Sequence, residues 1–331
     1  MRKFLLAVAG LAMAASPAAA QKYNLTVAGY SPGGLVSTIG IGMDKALAAQ
    51  FPGSAVTYQT SSGGLANAVL VASGKTPLGF IGDHEMAVIV NGRPPFKKPI
   101  TSLRLLFRPY TGGSRFQVSH VLVRKDFAEK HGLKTFADLA AKKPPIKLAL
   151  NRPGNNDSEV SLAMLKQIGV TQDDIKKWGG QIVRAASREQ TSLMLDRRID
   201  GLIFGISYNH PRVREIAKGV DVVMLPITKE VAEKAAEEWS SSVCSFKASE
   251  YEFLATDSYS VCVGSGTYVN EKMDDATAYN VTKAMFEQLD KYQSAHRLLA
   301  KAVTAQTLAE KGPAPWHPGA LKYLKEKGLV K

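Results

Sequence analysis

Residues 55–82, AVTYQTSSGGLANAVLVASGKTPLGFIG, decide the fold of this chain. Ala55–Gln59 is a β-prone run, and the small-residue loop 61–64 follows it. Residues 65–73 then repeat apolar side chains at the spacing of a helix, and residues 78–81 form the next strand. A strand, a glycine loop and a helix recur three times within about seventy residues, which predicts βαβ units on a parallel sheet.

A second series of strands, loops and helices follows with the same architecture but a different sequence. Residues 146–150 and 201–204 are strand-like, and they lead into the polar or small-residue loops 151–158 and 205–208. The chain has 331 residues, which is about twice the length of a typical domain. The sequence therefore predicts an α/β protein with two lobes, in preference to one long sheet.

The amino terminus has the layout of a secretory signal peptide. Met1-Arg2-Lys3 is cationic, residues 4–15 are apolar, and Ser16-Pro17 breaks the helix before the small residues 18–20. We expect cleavage after Ala20 and export from the cytoplasm, because the apolar run is too short to be a good membrane span. An uncleaved membrane anchor is the alternative.

Basic residues outnumber acidic residues in this chain. The chain has 42 Lys and Arg residues against 29 Asp and Glu residues, for a net charge of +13. Such a surplus suits nucleic acid, a membrane surface or an anionic ligand. Export argues against nucleic acid, and the basic residues are scattered as singles and pairs, whereas a nucleic-acid footprint is clustered. Part of the surplus could draw an anionic ligand or dock on a membrane transporter, and much of it is expected to be a solvated face.

The chain has two cysteines, Cys244 and Cys262. They are too few for a disulfide-dense scaffold. In an oxidising compartment they form either a bridge worth roughly 3 kcal/mol or two unpaired buried thiols. The sequence leaves both alternatives open.

Known enzyme and metal motifs are incomplete in this sequence. Gly74-Lys75-Thr76 imitates the end of a phosphate-binding loop, but Val69 stands where the first glycine is required. His84-Glu85 is not followed by the second histidine of a helical zinc motif. We therefore expect a protein that is not an enzyme and needs no metal or cofactor. The rival interpretation is a secreted α/β hydrolase with Ser207 or Ser61 as its nucleophile.

Four loops are candidate ligand-binding sites, because ligands of open parallel α/β sheets bind beyond the carboxyl ends of the strands. They are residues 31–34 and 61–64 in the first half and residues 155–158 and 205–208 in the second. Glycines allow close backbone approach, and helix amino termini point N–H groups at a ligand. Such loops suit a carboxylate, although each one alone also has the composition of an ordinary turn or cap.

Several motifs, spread over nearly all of the chain after residue 20, resemble the substrate-binding subunits of TAXI-type TRAP transporters. They are Gly33-Gly34, Ser61-Ser62-Gly63-Gly64-Leu65-Ala66-Asn67, Ala72-Ser73-Gly74-Lys75, Leu78-Gly79-Phe80-Ile81, Arg197-Arg198-Ile199-Asp200-Gly201-Leu202 and Trp316-His317-Pro318-Gly319-Ala320-Leu321-Lys322-Tyr323. Asn155-Asn156-Asp157-Ser158 and Ser207-Tyr208-Asn209-His210 depart from the family pattern. These departures bear on the identity of the ligand more than on the fold.

The resemblance implies the bilobal type II fold of periplasmic binding proteins, with the ligand held in the cleft between the lobes. It also implies delivery to the membrane permease subunits of a transporter driven by an ion gradient. We expect lobe 1 at residues 21–120 with 261–331, lobe 2 at 121–260, and hinge strands near Val118–Arg124 and 258–263. A ligand sensor for a signalling system is the alternative role.

The resemblance also implies a set of ligand-binding residues. They are Ser31, Gly33, Gly34, Ser61, Ser62, Gly63, Asn67, Tyr110, Asn155, Asn156, Asp157, Ser158, Gly205, Ser207 and Tyr208. Arg108 or Arg152 could pair with a ligand carboxylate. TAXI relatives suggest an organic anion such as a dicarboxylate or an acidic amino acid. Because the carboxylate of Asp157 would repel a dianion, an amino acid or hydroxy acid is the preferred ligand.

Overall fold

The computed structural model describes residues 21–30 and 35–331. The predicted signal peptide, residues 1–20, lies outside the described residues, as do Ser31, Gly33 and Gly34 of the predicted site. Among the described residues, no helix is both long enough and apolar enough to cross a bilayer.

Twelve strands form in the described chain. They are β1 (Asn24–Ala28), β2 (Ala55–Gln59), β3 (Leu78–Gly82), β4 (Leu103–Tyr110), β5 (Val118–Arg124), β6 (Lys147–Leu150), β7 (Gln181–Arg184), β8 (Gly201–Ile206), β9 (Val222–Met224), β10 (Ser242–Phe246), β11 (Ser258–Cys262) and β12 (Ser265–Asn270).

Fifteen α-helices connect and cover these strands within the described residues. They are α1 (Leu35–Gln50), α2 (Gly64–Ala72), α3 (Asp83–Val90), α4 (Lys125–His131), α5 (Asp138–Lys142), α6 (Asn156–Gln167), α7 (Gln172–Lys177), α8 (Ser187–Leu195), α9 (Pro211–Gly219), α10 (Lys229–Glu238), α11 (Asp275–Glu287), α12 (Leu289–Gln293), α13 (Arg297–Ala302), α14 (Ala305–Leu308) and α15 (Pro318–Glu326).

The strands form two separate sheets. The first has the order β2-β1-β3-β12-β4, and the second has the order β10-β11-β5-β8-β6-β7 with β9 paired to β5. In the first sheet β1 is parallel to β2 and β3, and β12 is antiparallel to both of its neighbours. In the second sheet β6 is parallel to β7 and β8, and β5 is antiparallel to β8. The predicted α/β architecture with two lobes is confirmed.

Each lobe has its own apolar core. In the first lobe, helices α1 and α11 pack on the sheet, so that Ile39 and Met285 lie in one buried cluster with Phe80. In the second lobe, Met164 of α6 and Ile203 of β8 belong to another buried cluster. Every residue of β3 is buried, as expected for a central strand covered on both faces.

The chain passes between the two sheets twice. It leaves β4 after Tyr110 and enters β5 at Val118, and it returns through residues 263–264 between β11 and β12. The strands expected as hinges, Val118–Arg124 and 258–263, are instead almost entirely strands of the second sheet: β5 pairs with β8 from Val118 to Val123. The expected lobe boundaries at 120 and 260 stay a prediction, and sheet membership changes within a few residues of each.

A disulfide joins Cys244 to Cys262. It connects the edge strand β10 to its antiparallel neighbour β11, immediately before the second passage between the lobes. Of the two alternatives that the sequence left open, the structure contains the bonded one. The bridge attaches the edge of the second sheet to the strand that leads back to the first lobe.

Candidate ligand-binding cleft

The loops at the carboxyl ends of the parallel strands meet between the lobes. A Cβ atom placed on Gly63, in the loop after β2, would lie only 2.8 Å from the carbonyl oxygen of Gly154, in the loop after β6. Gly63 also has a φ of +134°, a conformation that strongly favours glycine. The predicted loops 61–64 and 155–158 therefore belong to opposite rims of one cleft.

Two predicted site residues of the first rim are hydrogen-bonded within that lobe. The Ser61 hydroxyl donates to the carbonyl of Gly29 at 2.6 Å, and the Asn67 side-chain amide donates to the same carbonyl at 2.9 Å. Asn67 is fully buried and also donates to the carbonyl of Phe80 at 2.7 Å. These contacts hold together the ends of β1, β2 and β3, so Ser61 and Asn67 shape the rim. Ser62 beside them is exposed.

Glu85 is a buried residue of the first rim that sequence reasoning missed. Its carboxylate accepts hydrogen bonds from the Tyr30 hydroxyl at 2.5 Å and from the backbone N–H groups of Gly82 and Gly64, each at 2.8 Å. Burial raises the pKa of Glu85 to about 7. The signal that could have found it is an acidic residue in the first helical turn after a fully buried strand, because such strands end at the cleft.

Neither arginine considered as a partner for a ligand carboxylate is free. Arg108 is buried, forms an ion pair with Asp83, and donates to the carbonyl of Lys311 at 2.9 Å. Arg152 is exposed and forms an ion pair with Glu189 at 3.5 Å. Arg108 therefore already has an acidic partner inside the first lobe, and the pairing of either arginine with a ligand carboxylate stays a prediction.

Two side chains of the second rim are buried with unused hydrogen-bonding capacity. Asp157 receives a hydrogen bond from the Asn151 amide at 3.3 Å. Its Oδ1 lies beside Gly205, whose backbone N–H acts on the carboxylate, but it makes no hydrogen bond of normal geometry among the described residues. Burial raises the pKa of Asp157 to about 6. The hydroxyl of Ser207 is also buried and without a partner in the described part of the chain. Gly205 leaves space for Asp157, because a Cβ there would lie 2.1 Å from Oδ1.

The other predicted residues of this rim form the start of α6. Asn155 is the N-cap, and its side chain accepts from the backbone N–H of Asp157 at 3.0 Å. Asn156 is the first residue of the helix. Ser158 is buried, and its hydroxyl accepts from the Arg184 guanidinium at 2.7 Å. Asn155 therefore positions Asp157, as ordinary cap chemistry does, and Ser158 is bound within the second lobe.

The two predicted tyrosines lie against the first passage between the lobes. Tyr110 is buried, donates to the Gln117 side chain at 3.0 Å, and stacks on Phe116 with ring centroids 4.6 Å apart. Tyr208 lies under the guanidinium of Arg115, which is 4.0 Å from its ring centroid. The Tyr110 hydroxyl is thus already hydrogen-bonded within the protein, and a role of either ring as an aromatic wall for the ligand stays a prediction.

The hydrolase interpretation receives no support from this geometry. A nucleophilic serine needs a base within hydrogen-bond reach. Ser61 is bonded to Gly29 and Asn67, and the Ser207 hydroxyl has no hydrogen-bond partner, histidine included, among the residues that the structure describes.

Residues 27–328 match the model of the NMT1-like family. The chain belongs to the NMT1-like family. Over these residues the match includes both sheets and both rims of the cleft, so the family assignment applies to the whole two-lobed unit.

Solved structures share the fold of this NMT1-like protein. PhnD1 of Prochlorococcus marinus in complex with methylphosphonate has a TM-score of 0.56 at 10% sequence identity, covering 92% of this chain and 98% of that one. MatC of Rhodopseudomonas palustris with bound malate has a TM-score of 0.53 at 15% identity, covering 93% and 96%. A binding protein component of an ABC phosphonate transporter from Pseudomonas aeruginosa has a TM-score of 0.52 at 10% identity, covering 85% and 80%. The NMT1-like protein has the bilobal type II periplasmic-binding-protein fold.

Proposed function

We propose that this protein is a periplasmic solute-binding protein that captures a small amino acid or hydroxy acid in the cleft between its lobes. The observation that carries the proposal is a pair of buried groups on the second rim, Oδ1 of Asp157 and the Ser207 hydroxyl, which make no hydrogen bond of normal geometry within the described residues. Both lie at the carboxyl ends of parallel strands, where ligands of such sheets bind.

The chemistry of the two groups narrows the ligand. Leaving a buried polar atom without a partner costs about 1–3 kcal/mol, so a ligand that satisfies both atoms gains that energy on binding. A carboxylate accepts from an ammonium or hydroxyl group and repels a second anion. The Ser207 hydroxyl can donate to a ligand carboxylate. An amino acid or hydroxy acid supplies both kinds of group, whereas a plain dicarboxylate supplies only one.

The fold and the resemblance to TAXI-type subunits support a transport role. Ligand contacts with both rims stabilise a closed form, and membrane subunits can recognise that form. We propose TRAP-type permease subunits as the partner, because the motifs shared with TAXI proteins extend over nearly all of the chain after residue 20. An ABC-type permease is the competing partner, since one protein of the same fold is the binding component of an ABC phosphonate transporter.

Mass spectrometry of the ligand released from the purified protein tests the first part of the proposal. We expect a compound with a carboxylate and an amino or hydroxyl group. In calorimetry with that compound, Asp157→Asn and Ser207→Ala should each weaken binding by at least about tenfold, equal to 1.4 kcal/mol. The exposed residues Asp173 and Ser192 provide matched controls, and Asp173→Asn and Ser192→Ala should leave the affinity unchanged. The absence of binding by any carboxylate or amino acid would contradict the proposal.

Uptake assays in the source cells separate the two kinds of transporter. We expect uptake of the identified solute to depend on this gene and to stop when the ion gradient is collapsed while ATP is maintained. Uptake that follows ATP instead would assign the protein to an ABC-type permease. Normal uptake in the absence of the gene would favour the sensor role.

A further inference from the structure

A cavity of about 210 Å³ lies beside the contact between Gly63 and Gly154 and is lined by residues of both lobes. The first lobe contributes His84, Glu85 and the apolar side chains of Leu65 and Val88, and the second contributes Glu159 and Trp239. The rings of His84 and Trp239 face each other across the lobe boundary with centroids 5.8 Å apart. None of the residues described as lining this cavity is Lys or Arg.

Three ring nitrogen atoms at this cavity lack hydrogen-bond partners in the described part of the protein. Both ring nitrogens of His84 are buried without a partner, as is the indole nitrogen of Trp239, and the His84 side chain has no exposed area. Burial lowers the pKa of His84 to about 3, so the imidazole is neutral and offers one donor and one acceptor. Buried groups of this kind normally have partners. The cavity is large enough to hold a bound molecule, and that molecule could supply the missing hydrogen-bond partners.

The carboxylates at the cavity differ in their availability. Both oxygens of Glu85 already accept hydrogen bonds from Tyr30, Gly82 and Gly64. Among the described residues, Glu159 has only a long contact of 3.4 Å with the backbone N–H of Gly154, and its charge acts on Glu85 across the lobe boundary. Glu159 is therefore the available acceptor.

Arg184, the cation of the second lobe that interacts with Glu159, makes its hydrogen bonds to other groups. Arg184 interacts electrostatically with Glu159. Its guanidinium, however, donates to the Ser158 hydroxyl at 2.7 Å and to the carbonyl of Asn151 at 3.2 Å. Glu159 therefore lies at the cavity without an ion pair among the described residues, near an indole ring whose face attracts cations.

We propose that this cavity binds an organic ammonium group, with Glu159 and the acceptor nitrogen of His84 receiving its N–H groups and Trp239 covering it. The apolar walls Leu65 and Val88 would hold the attached carbon chain or ring. As a statement about the natural solute this rests on the proposed function: the cleft would select solutes that carry an additional amino group on an apolar side chain. The binding of a simple amine to the cavity needs no knowledge of that solute.

Three small molecules of similar size and different charge test the inference on the full-length mature protein. n-Butylammonium, n-butanol and butyrate are titrated while tryptophan fluorescence is recorded. We expect n-butylammonium to bind at least about tenfold more tightly than n-butanol and to change the emission of Trp239. Butyrate should bind least tightly of the three. Equal binding of all three, tighter binding of butyrate, or no binding of n-butylammonium because water fills the cavity would overturn the inference.

Variants link the binding to the cavity. Glu159→Gln should weaken n-butylammonium binding by at least about tenfold and leave n-butanol unchanged, while Glu129→Gln, on the exposed surface of α4, should change neither. Trp239→Phe preserves an aromatic wall and should abolish the fluorescence change. An unaltered ammonium affinity in Glu159→Gln would contradict the inference, and thermal unfolding of each variant shows whether it is folded. Failure here leaves the Asp157 and Ser207 experiments on the released solute unaffected, so the two proposals fail separately.

Discussion

The carboxylate of Glu85 occupies the amino terminus of α2, where it accepts a hydrogen bond from the backbone N–H of Gly64 at 2.8 Å. A Cβ atom on Gly64 would lie only 1.9 Å from Oε2 of Glu85, so this position has no room for a side chain. Helix amino termini attract anions, and the sequence suggests that this one receives the carboxylate of a ligand. In the structure an acidic side chain of the protein already holds that place.

Removing this carboxylate should destabilise the first lobe. Glu85→Ala leaves the donors of Tyr30, Gly82 and Gly64 without their acceptor, and we expect it to lower the free energy of unfolding by about 3 kcal/mol. Glu85→Gln keeps one acceptor oxygen, so its free energy of unfolding should fall clearly less than that of Glu85→Ala. Urea unfolding measures both. Glu129→Gln is the control and should stay within about 0.5 kcal/mol of the wild type. Equal losses for Glu85→Ala and Glu129→Gln would show that the three hydrogen bonds contribute nothing.

The raised pKa of Glu85 makes stability depend on pH. Its ordinary value is 4.5, and its folded value is about 7. Between these values the folded state binds more protons than the unfolded state, so this group lowers the stability as the pH rises from 4.5 to 7. Burial lowers the pKa of His84 to about 3 and that of His120 to about 4, and these histidines act in the opposite direction below pH 6.5.

Comparison with Glu85→Gln isolates this carboxyl from the histidines, which both proteins share. We expect the stability of the wild type relative to Glu85→Gln to fall by about 3 kcal/mol between about pH 5 and pH 8. Urea unfolding at the two pH values measures this difference. If the stability of the wild type relative to Glu85→Gln rises with pH instead, the sign is opposite to the expected one and contradicts the raised pKa of Glu85.

Gly63 should be required for the lobes to close. In Gly63→Ala the added methyl group would meet the carbonyl oxygen of Gly154 at 2.8 Å. We expect at least about a tenfold loss of affinity for the released solute and a larger radius of gyration by small-angle scattering. Gly74→Ala is the matched control, because Gly74 has a φ of +74° but no atom within 4 Å of an added Cβ. It should lose about 1 kcal/mol of stability and keep its affinity. Equal affinities in the two variants would contradict the role of Gly63.

The disulfide should stabilise the second lobe without contributing to ligand binding. Replacing both Cys244 and Cys262 by Ser opens a loop with a sequence separation of 18, which should lower the free energy of unfolding by about 3 kcal/mol. Reduction of the wild-type protein should have the same effect, whereas the double variant should be insensitive to reductant. Urea unfolding with and without reductant measures this, and identical midpoints for oxidised and reduced wild type would exclude a stabilising bridge.

The expected ligand-binding residues show where sequence reasoning stops. It located the loops at strand ends correctly, because βα loops are set by local patterns of apolar residues and glycine. It could not assign the partners of the polar side chains in those loops. Asn67 is satisfied by Phe80, 13 residues away, and Arg108 by Asp83, 25 residues away. Such pairs depend on which strands become neighbours, and that is a property of the folded sheet.

The sequence by itself determined the two-lobed α/β architecture and the placement of glycine-rich loops at the carboxyl ends of its strands, since both follow from short-range periodicity and turn chemistry. Only the tertiary structure decided that the chain changes sheets before β5 and after β11, that Cys244 and Cys262 are bonded, and that Glu85 fills the amino terminus of α2. It also decided that Asp157 and Ser207 are buried with hydrogen-bonding capacity that the described part of the chain leaves unused. The physical reason is that burial and pairing arise from contacts between segments distant in sequence, which no local pattern encodes.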